Sequence, residues 1–128
     1  MLTSPEQVVR EFWRLMASND FAAVAAVLDE EFILDWPQSG ERVRGPHNFA
    51  VLNQEYPAAG PWRFTLNRLV ADDMEVVTDV TVTDGAQTAR AISFFTVAEG
   101  RIQRILEFWP EPYDAPHDRT DIVELIHE

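Results

Sequence analysis

The chain has 128 residues, which suffice for one domain with a single hydrophobic core. Its 22 acidic residues outweigh 10 basic ones, and the net charge of −12 argues against a nucleic acid or an anionic membrane surface as partner. Because cysteine is absent, thiol catalysis, disulfide bonds and thiolate metal sites are excluded.

The sequence also bears on the compartment. Residues 1–13 lack the charged segment and apolar run of a secretion signal. No stretch approaches the roughly 18 consecutive apolar residues of a membrane span. We therefore expect a soluble, cytoplasmic protein.

Two helices are predicted near the N-terminus. The first starts at Ser4, an N-cap residue followed by a proline and by Gln7 in the capping-box position. Its apolar stripe extends to about Ala17. The second starts at Asp20 and runs through Leu28 with an alanine-rich apolar face.

A short strand and a third helix follow. Residues 32–36 place apolar side chains on both faces and end before Pro37, as expected of a short buried strand. Residues 38–45 are polar and hold two glycines, which predicts a loop. The Gly45-Pro46 pair then opens the third helix.

Four long strands are predicted after residue 61, at about 62–71, 75–83, 88–97 and 101–109, because β-branched and aromatic residues dominate between turn signals. Strands of this length favour a strongly bent antiparallel sheet, and the helices packed in it give an α+β fold. Residues 110–118 hold three prolines and predict an extended tail. Residues 121–127 predict a short helix.

The last predicted strand carries the candidate site. Side chains alternate across a strand, so Ile105, Glu107 and Trp109 share one face, while the opposite face is also largely apolar. Neither face is therefore fully solvated. A carboxyl between two large apolar side chains predicts a small-molecule pocket.

The order of these elements resembles a known superfamily. Four patterns carry the resemblance: SNDF at residues 18–21, LDEEF at 28–32, RGP at 44–46 and GRIQRILEFW at 100–109. Their order and spacing are similar to those of the cone-shaped α+β fold of the ketosteroid isomerase and nuclear-transport-factor-two superfamily. The WPEPY segment from residue 109 further resembles the SnoaL-like polyketide cyclase branch. The resemblance implies one SnoaL-like domain over residues 1–128, with residues 110–128 as an extended, proline-rich C-terminal tail.

The resemblance implies positions for known catalytic residues, and this chain lacks them. The isomerase tyrosine would fall at Phe12, its aspartate base at Trp36 and its hydrogen-bonding aspartic acid near Ser93. Steroid isomerisation is therefore not expected. The superfamily's epoxide hydrolases carry a catalytic carboxylate where Glu107 stands, but their arginine and second acid would fall near residues 79–81, where the triad is incomplete.

Glu107 is the candidate catalytic residue. A carboxyl walled by Trp109, Trp36 and Phe12 would lose solvation, and its pKa would rise towards neutrality, as suits a general acid or base. The alternative is an ion pair with one of the arginines, which would make Glu107 a structural or ligand-anchoring group. The sequence leaves both interpretations open.

A hydrophobic pocket around Glu107 is the second part of the hypothesis. Alternation and the resemblance together assign to its wall Phe12, Trp13, Trp36, Ser93, Phe95, Ile105 and Trp109. The aromatic side chains could instead fill the cone as core. We expect a hydrophobic small molecule as ligand, no cofactor, and no metal, because the three histidines lack metal-ligand spacing.

The other ionisable candidates are expected to be non-catalytic. Asp35 points away from Trp36 in a regular strand and is predicted to be a solvated strand-end or dimer-rim charge. His47 is predicted to be exposed in the first turn of the third helix, and His117 and His127 lie in the tail.

The sheet face opposite the pocket is predicted to be the contact surface of a homodimer. Ile92, Phe94, Leu106 and Phe108 give it an apolar layer that the chain's own helices cannot cover.

Two functions remain open. One is a cofactor-independent isomerase, cyclase, lyase or hydrolase that uses acid-base chemistry on a hydrophobic cyclic or polyketide-like molecule. The other is a non-catalytic ligand-binding or dimerisation module.

Overall fold

The computed structural model describes residues 4–126. Helix α1 (Pro5–Ala17) begins with the predicted capping box: Ser4 Oγ accepts the Gln7 N–H at 3.1 Å, and the Gln7 side chain accepts the Ser4 N–H at 3.2 Å. Helix α2 (Gly45–Glu55) has a proline in its first turn, as the sequence indicates. No helix in the described residues is long and apolar enough to cross a membrane.

The second predicted helix forms as a 3-10 helix, Phe21–Val27. Asn19 adopts a left-handed φ of 61°, and its side chain forms two hydrogen bonds of 2.8 Å with the backbone of Trp62. These bonds fix the chain just before the helix. In the described structure the Asp20 side chain makes no capping hydrogen bond, so the cap that the sequence predicts at this residue does not form. Leu28, predicted to end this helix, begins the first strand instead.

Six strands form one sheet in the order β2-β1-β6-β5-β4-β3. The strands are β1 (Leu28–Trp36), β2 (Glu41–Arg44), β3 (Arg63–Ala71), β4 (Glu75–Thr83), β5 (Thr88–Ala98) and β6 (Arg101–Phe108). The α+β fold class is confirmed, and the four long strands lie where the sequence predicts them. Neighbouring strands are antiparallel except β1 and β6, which run parallel, so the sheet is mixed.

Strand β2 lies where the sequence predicts a loop. Its four residues include a single apolar side chain, Val43, so no alternation indicates a strand. Pairing with β1 stabilises it, with Val43 opposite Leu34 and Arg42 opposite Asp35. Tertiary pairing at a sheet edge thus decides the conformation of this segment.

The core lies between the sheet and the helices. α1 packs against β3 to β6, while α2 packs against β1, β2 and the 3-10 helix. The largest fully buried side chains include Phe12, Phe32, Phe95 and Ile105. This arrangement leaves a space at one end of the inner sheet face, where the candidate site lies.

Residues 109–126 contain no regular helix or strand. The helix predicted at residues 121–127 is absent over the described part, apart from one turn at 120–122, and His127 lies outside the described residues. A helix of this length is marginal in water without packing, and Ile122 and Leu125 are 78% and 68% exposed.

Candidate functional site

A cavity of about 730 Å³ lies between the helices and the inner face of the sheet. Helix α1, helix α2 and strands β1, β3 and β6 all contribute to its wall. The aromatic side chains that line it are Phe12, Trp13, Trp36, Phe49, Tyr56, Trp62, Phe64 and Trp109. A largely aromatic cavity of this volume is suited to a small organic molecule.

Glu107 lies in the wall of this cavity and is 7% exposed. Its Oε1 accepts the indole N–H of Trp36 at 3.0 Å, and its Oε2 accepts the hydroxyl of Ser93 at 2.6 Å. Ser93 stands directly opposite Glu107 in the β5–β6 pair. Both donors are neutral, and none of the ion pairs found among residues 4–126 involves Glu107. The arginine partner that would make Glu107 a structural group is therefore not present in the described structure.

Burial raises the pKa of Glu107, because a desolvated carboxylate is less stable than the neutral acid. The hydrogen bonds from Ser93 and Trp36 partly oppose this rise. The indole N–H of Trp109 also favours the charged form of the Glu107 carboxyl. It acts without a regular hydrogen bond, because the buried Trp109 Nε1 has no partner within hydrogen-bond geometry in the described structure. The net result is a carboxyl that holds its proton more tightly than an exposed glutamate does.

The structure brings five of the candidate residues together. Phe12, Trp13, Trp36, Trp109 and Glu107 all line the cavity. The remaining three are placed differently.

Three residues that the sequence also predicts to line the wall lie beneath it and are each 0% exposed: Ser93, Phe95 and Ile105. Phe95 is covered by the ring of Phe12, with centroids 5.3 Å apart, because α1 crosses the sheet there. Ser93 nevertheless contributes to the site, because its hydroxyl donates a hydrogen bond to the Glu107 carboxyl.

Several cavity residues were not identified from the sequence. Phe49, Tyr56, Trp62 and Phe64 complete the aromatic wall, and Glu41 and Glu111 are exposed and line the cavity as well. The helical spacing of Phe49 and Tyr56 marks them as apolar-face residues. It does not distinguish a core position from a cavity wall.

Asp35 does not have the solvated position predicted for it. It is 9% exposed, and its carboxylate accepts hydrogen bonds from Arg42 at 2.6 and 2.9 Å and from Arg104 at 2.6 Å. These partners, Arg42 first, lower the pKa of Asp35. The side chain does point away from the cavity, as strand alternation requires. Its surroundings differ from the predicted ones, because Arg104 approaches from the neighbouring strand β6.

Asp79 lies on the same outer face of the sheet. Arg90 donates two hydrogen bonds to it at 2.7 and 2.6 Å, and Arg68 lies 3.5 Å away. The pKa of Asp79 is lowered, chiefly by Arg90. With its carboxylate held there, Asp79 is not available as a second acid beside Glu107.

The described residues contain no cluster of three or more potential metal ligands. His47 is exposed in the first turn of α2 and does not line the cavity.

The architecture defines a class of protein, an α+β domain in which helices cover one face of a mixed sheet and leave a cavity beside it. The model of the SnoaL-like domain matches residues 9–105, and the chain belongs to this family, within the ketosteroid isomerase and NTF2-like superfamily. A comparison with curated proteins gives no match.

Three solved structures illustrate the relationship. A protein from Kribbella flavida DSM 17836, provisionally named a ketosteroid isomerase, is 31% identical, with 94% of this chain and 88% of that chain covered and a TM-score of 0.86. An NTF-2 like protein of unknown function from Burkholderia xenovorans LB400 is 26% identical, with 95% and 94% covered and a TM-score of 0.77. An M. tuberculosis LEH-like epoxide hydrolase is 22% identical, with 81% and 80% covered and a TM-score of 0.66; it shows the shared fold alone.

Proposed function

We propose that this protein is an enzyme that binds a hydrophobic, ring-containing small molecule in the cavity, and that Glu107 transfers a proton to or from it. The observation that carries the proposal is a buried carboxyl in an aromatic wall, hydrogen-bonded by Trp36 and Ser93 and without a basic partner among the described residues. A purely structural glutamate at such a depth is normally paired with a cation.

The geometry suits acid-base chemistry. Each carboxyl oxygen accepts one hydrogen bond, which leaves further lone pairs for a substrate proton. The raised pKa brings Glu107 nearer to neutrality, where one group serves best as both acid and base. Trp36 and Trp109 have their ring centroids 6.4 Å apart and offer flat surfaces beside the carboxyl, on which a cyclic substrate can be oriented.

The specific chemistries of the named relatives are poorly supported here. Phe12 and Trp36 stand where the resemblance implies the isomerase tyrosine and base, and neither supplies that chemistry. Asp79 is paired with arginines on the outer face, away from Glu107. We therefore propose a different reaction of the isomerase, cyclase or hydrolase type, with no cofactor.

The test is a screen followed by a matched pair of variants. Ring-containing hydrophobic compounds are first screened for quenching of tryptophan emission, and the compounds that bind are followed for conversion by mass spectrometry. Glu107→Gln keeps the size of the side chain and removes its proton chemistry, so we expect turnover at saturating substrate to fall at least ~100-fold. Glu30→Gln changes an exposed carboxyl of β1 outside the cavity and should leave turnover unchanged.

The absence of the isomerase and hydrolase residues favours a second candidate, a non-catalytic ligand-binding module of the same fold. Compounds that bind without any conversion would support this candidate. An unchanged rate in Glu107→Gln would remove Glu107 from the mechanism.

A further inference from the structure

The charged groups around the cavity all have one sign. Glu107 lies in its wall, and the exposed carboxyls of Glu41 and Glu111 lie towards solvent. Among the residues that the structure describes, no arginine or histidine lines the cavity, and the sequence contains no lysine. A negatively charged ligand would meet three carboxyls and no compensating donor of positive charge. A positively charged ligand would be attracted.

Trp36, which donates a hydrogen bond to Glu107, forms edge-to-face pairs with two other aromatic residues of the cavity wall. The ring plane of Trp36 makes an angle of 89° with that of Trp109 and 88° with that of Tyr56, with centroids 6.4 and 6.5 Å apart. All three of these residues line the cavity that holds Glu107. Aromatic faces attract an organic cation within about 6 Å of the ring centre, and tryptophan does so most strongly.

The hydrogen bonds of Glu107 leave its charge unbalanced. Ser93 and Trp36 are neutral donors, so ionisation of the buried carboxyl has no cationic partner in the described structure. Trp36 donates its N–H to Glu107, which fixes its ring beside the carboxyl. A bound cation would contact the aromatic faces and at the same time supply the counter-charge that the Glu107 carboxylate lacks.

We propose that the ligand of this cavity is a hydrophobic organic cation, an amine or quaternary ammonium compound whose charge is balanced by Glu107 and surrounded by Trp36, Trp109 and Tyr56. This inference rests on the proposed function, because it names the chemical class of the molecule that the same cavity binds.

The test compares two probes of the same shape. Benzyltrimethylammonium carries a positive charge, and neopentylbenzene replaces its nitrogen with carbon and is neutral. Affinities are measured by quenching of tryptophan emission at fixed salt, with the wild-type chain and with Glu107→Gln and Glu30→Gln.

Both variants remove one carboxylate, so they alter the total charge of −12 equally, but only Glu107 lines the cavity. We expect the cation to bind at least ~10-fold more tightly than its neutral isostere to the wild type and to Glu30→Gln. In Glu107→Gln we expect most of this preference to be lost.

Each other result is decisive. If neopentylbenzene binds as tightly as the cation, the inference is overturned while the proposed hydrophobic site stands. If Glu107→Gln keeps the full preference, Glu107 is not the counter-charge and the inference fails. If neither probe binds but ring compounds from the screen do, the ligand is of another class. If nothing binds, the proposed function fails as well. The comparison of the two probes on the wild-type chain decides the inference even if Glu107→Gln does not fold.

Discussion

At the scale of single residues, Glu107 is unusual because its burial is supported by two neutral donors, Ser93 and Trp36. Two hydrogen bonds satisfy part of the carboxylate but do not replace its lost hydration, so the pKa rises. Asp35 shows the opposite case, since arginines hold its pKa below the usual range. Both carboxyls are buried, and the type of partner decides which form is favoured.

The raised pKa of Glu107 predicts how the stability of the protein depends on pH. The folded protein binds the Glu107 proton more tightly than the unfolded chain does, so the free energy of unfolding falls as pH rises from the usual glutamate pKa through the raised value. Glu107→Gln lacks this contribution. In urea unfolding between about pH 4 and pH 8, we therefore expect the stability of the wild type relative to this variant to decrease as pH rises.

Glu30→Gln serves as the control, because its carboxyl is exposed and its stability relative to the wild type should hardly vary with pH. A difference between wild type and Glu107→Gln that is constant across the range would contradict the raised pKa.

At the scale of elements, the β4–β5 turn is joined to the segment before β3 by one side chain. The Asp84 carboxylate accepts the backbone N–H groups of Ala59, Ala86 and Gln87, each at 2.9 Å. These bonds, with that from Ala59 first, lower the pKa of Asp84 strongly. Since Gln87 also lines the cavity, this turn positions part of the wall.

Replacing Asp84 by alanine should therefore lower the Tm by at least ~4 °C at neutral pH, because three backbone N–H groups lose their acceptor. The lowered pKa means that this stabilisation is complete above the usual aspartate pKa and is lost as pH falls, so the difference should shrink in acid. Differential scanning calorimetry measures both effects.

The matched control is Asp72→Ala in the β3–β4 turn. Its carboxylate accepts the N–H of the adjacent Asp73, so its removal should change the Tm by less than ~2 °C. Equal effects at the two turns would show that Asp84 has no special role.

At the scale of the whole molecule, the outer face of the sheet remains largely apolar at its centre. Phe94 is 38% exposed, and its ring meets that of Phe108 edge-on at 6.2 Å, with Ile92 and Leu106 half-buried beside them. The arginine-paired carboxyls of Asp35 and Asp79 lie on this face as well. Because this apolar centre is exposed in the single chain, we propose that a second copy of the chain covers it and that the protein is a homodimer.

Static light scattering at micromolar concentration should give twice the chain mass of 14.6 kDa. Phe94→Arg would introduce a charge at the centre of the proposed contact, and we expect it to give a monomer. Met74→Arg, at a position 55% exposed in the β3–β4 turn, should remain dimeric. A monomeric wild type would refute the proposal.

The sequence by itself determined the features that depend on near neighbours in the chain. The capping box at Ser4 and Gln7 needs three residues of separation, and the long strands follow from composition and turn signals. Alternation likewise placed Glu107 on the same face as Trp109. For the same reason the sequence could indicate that this carboxyl lies among apolar groups.

Only the tertiary structure decided what those groups contact. Trp36, 71 residues before Glu107, reaches it because β1 runs parallel beside β6, and Ser93 does so through the register of β5 with β6. The same sheet pairing made residues 41–44 a strand and brought Arg104 to Asp35. Strand order and register depend on the packing of the whole core, and a local pattern does not encode them. The charge balance of the candidate site is therefore a property of the assembled sheet.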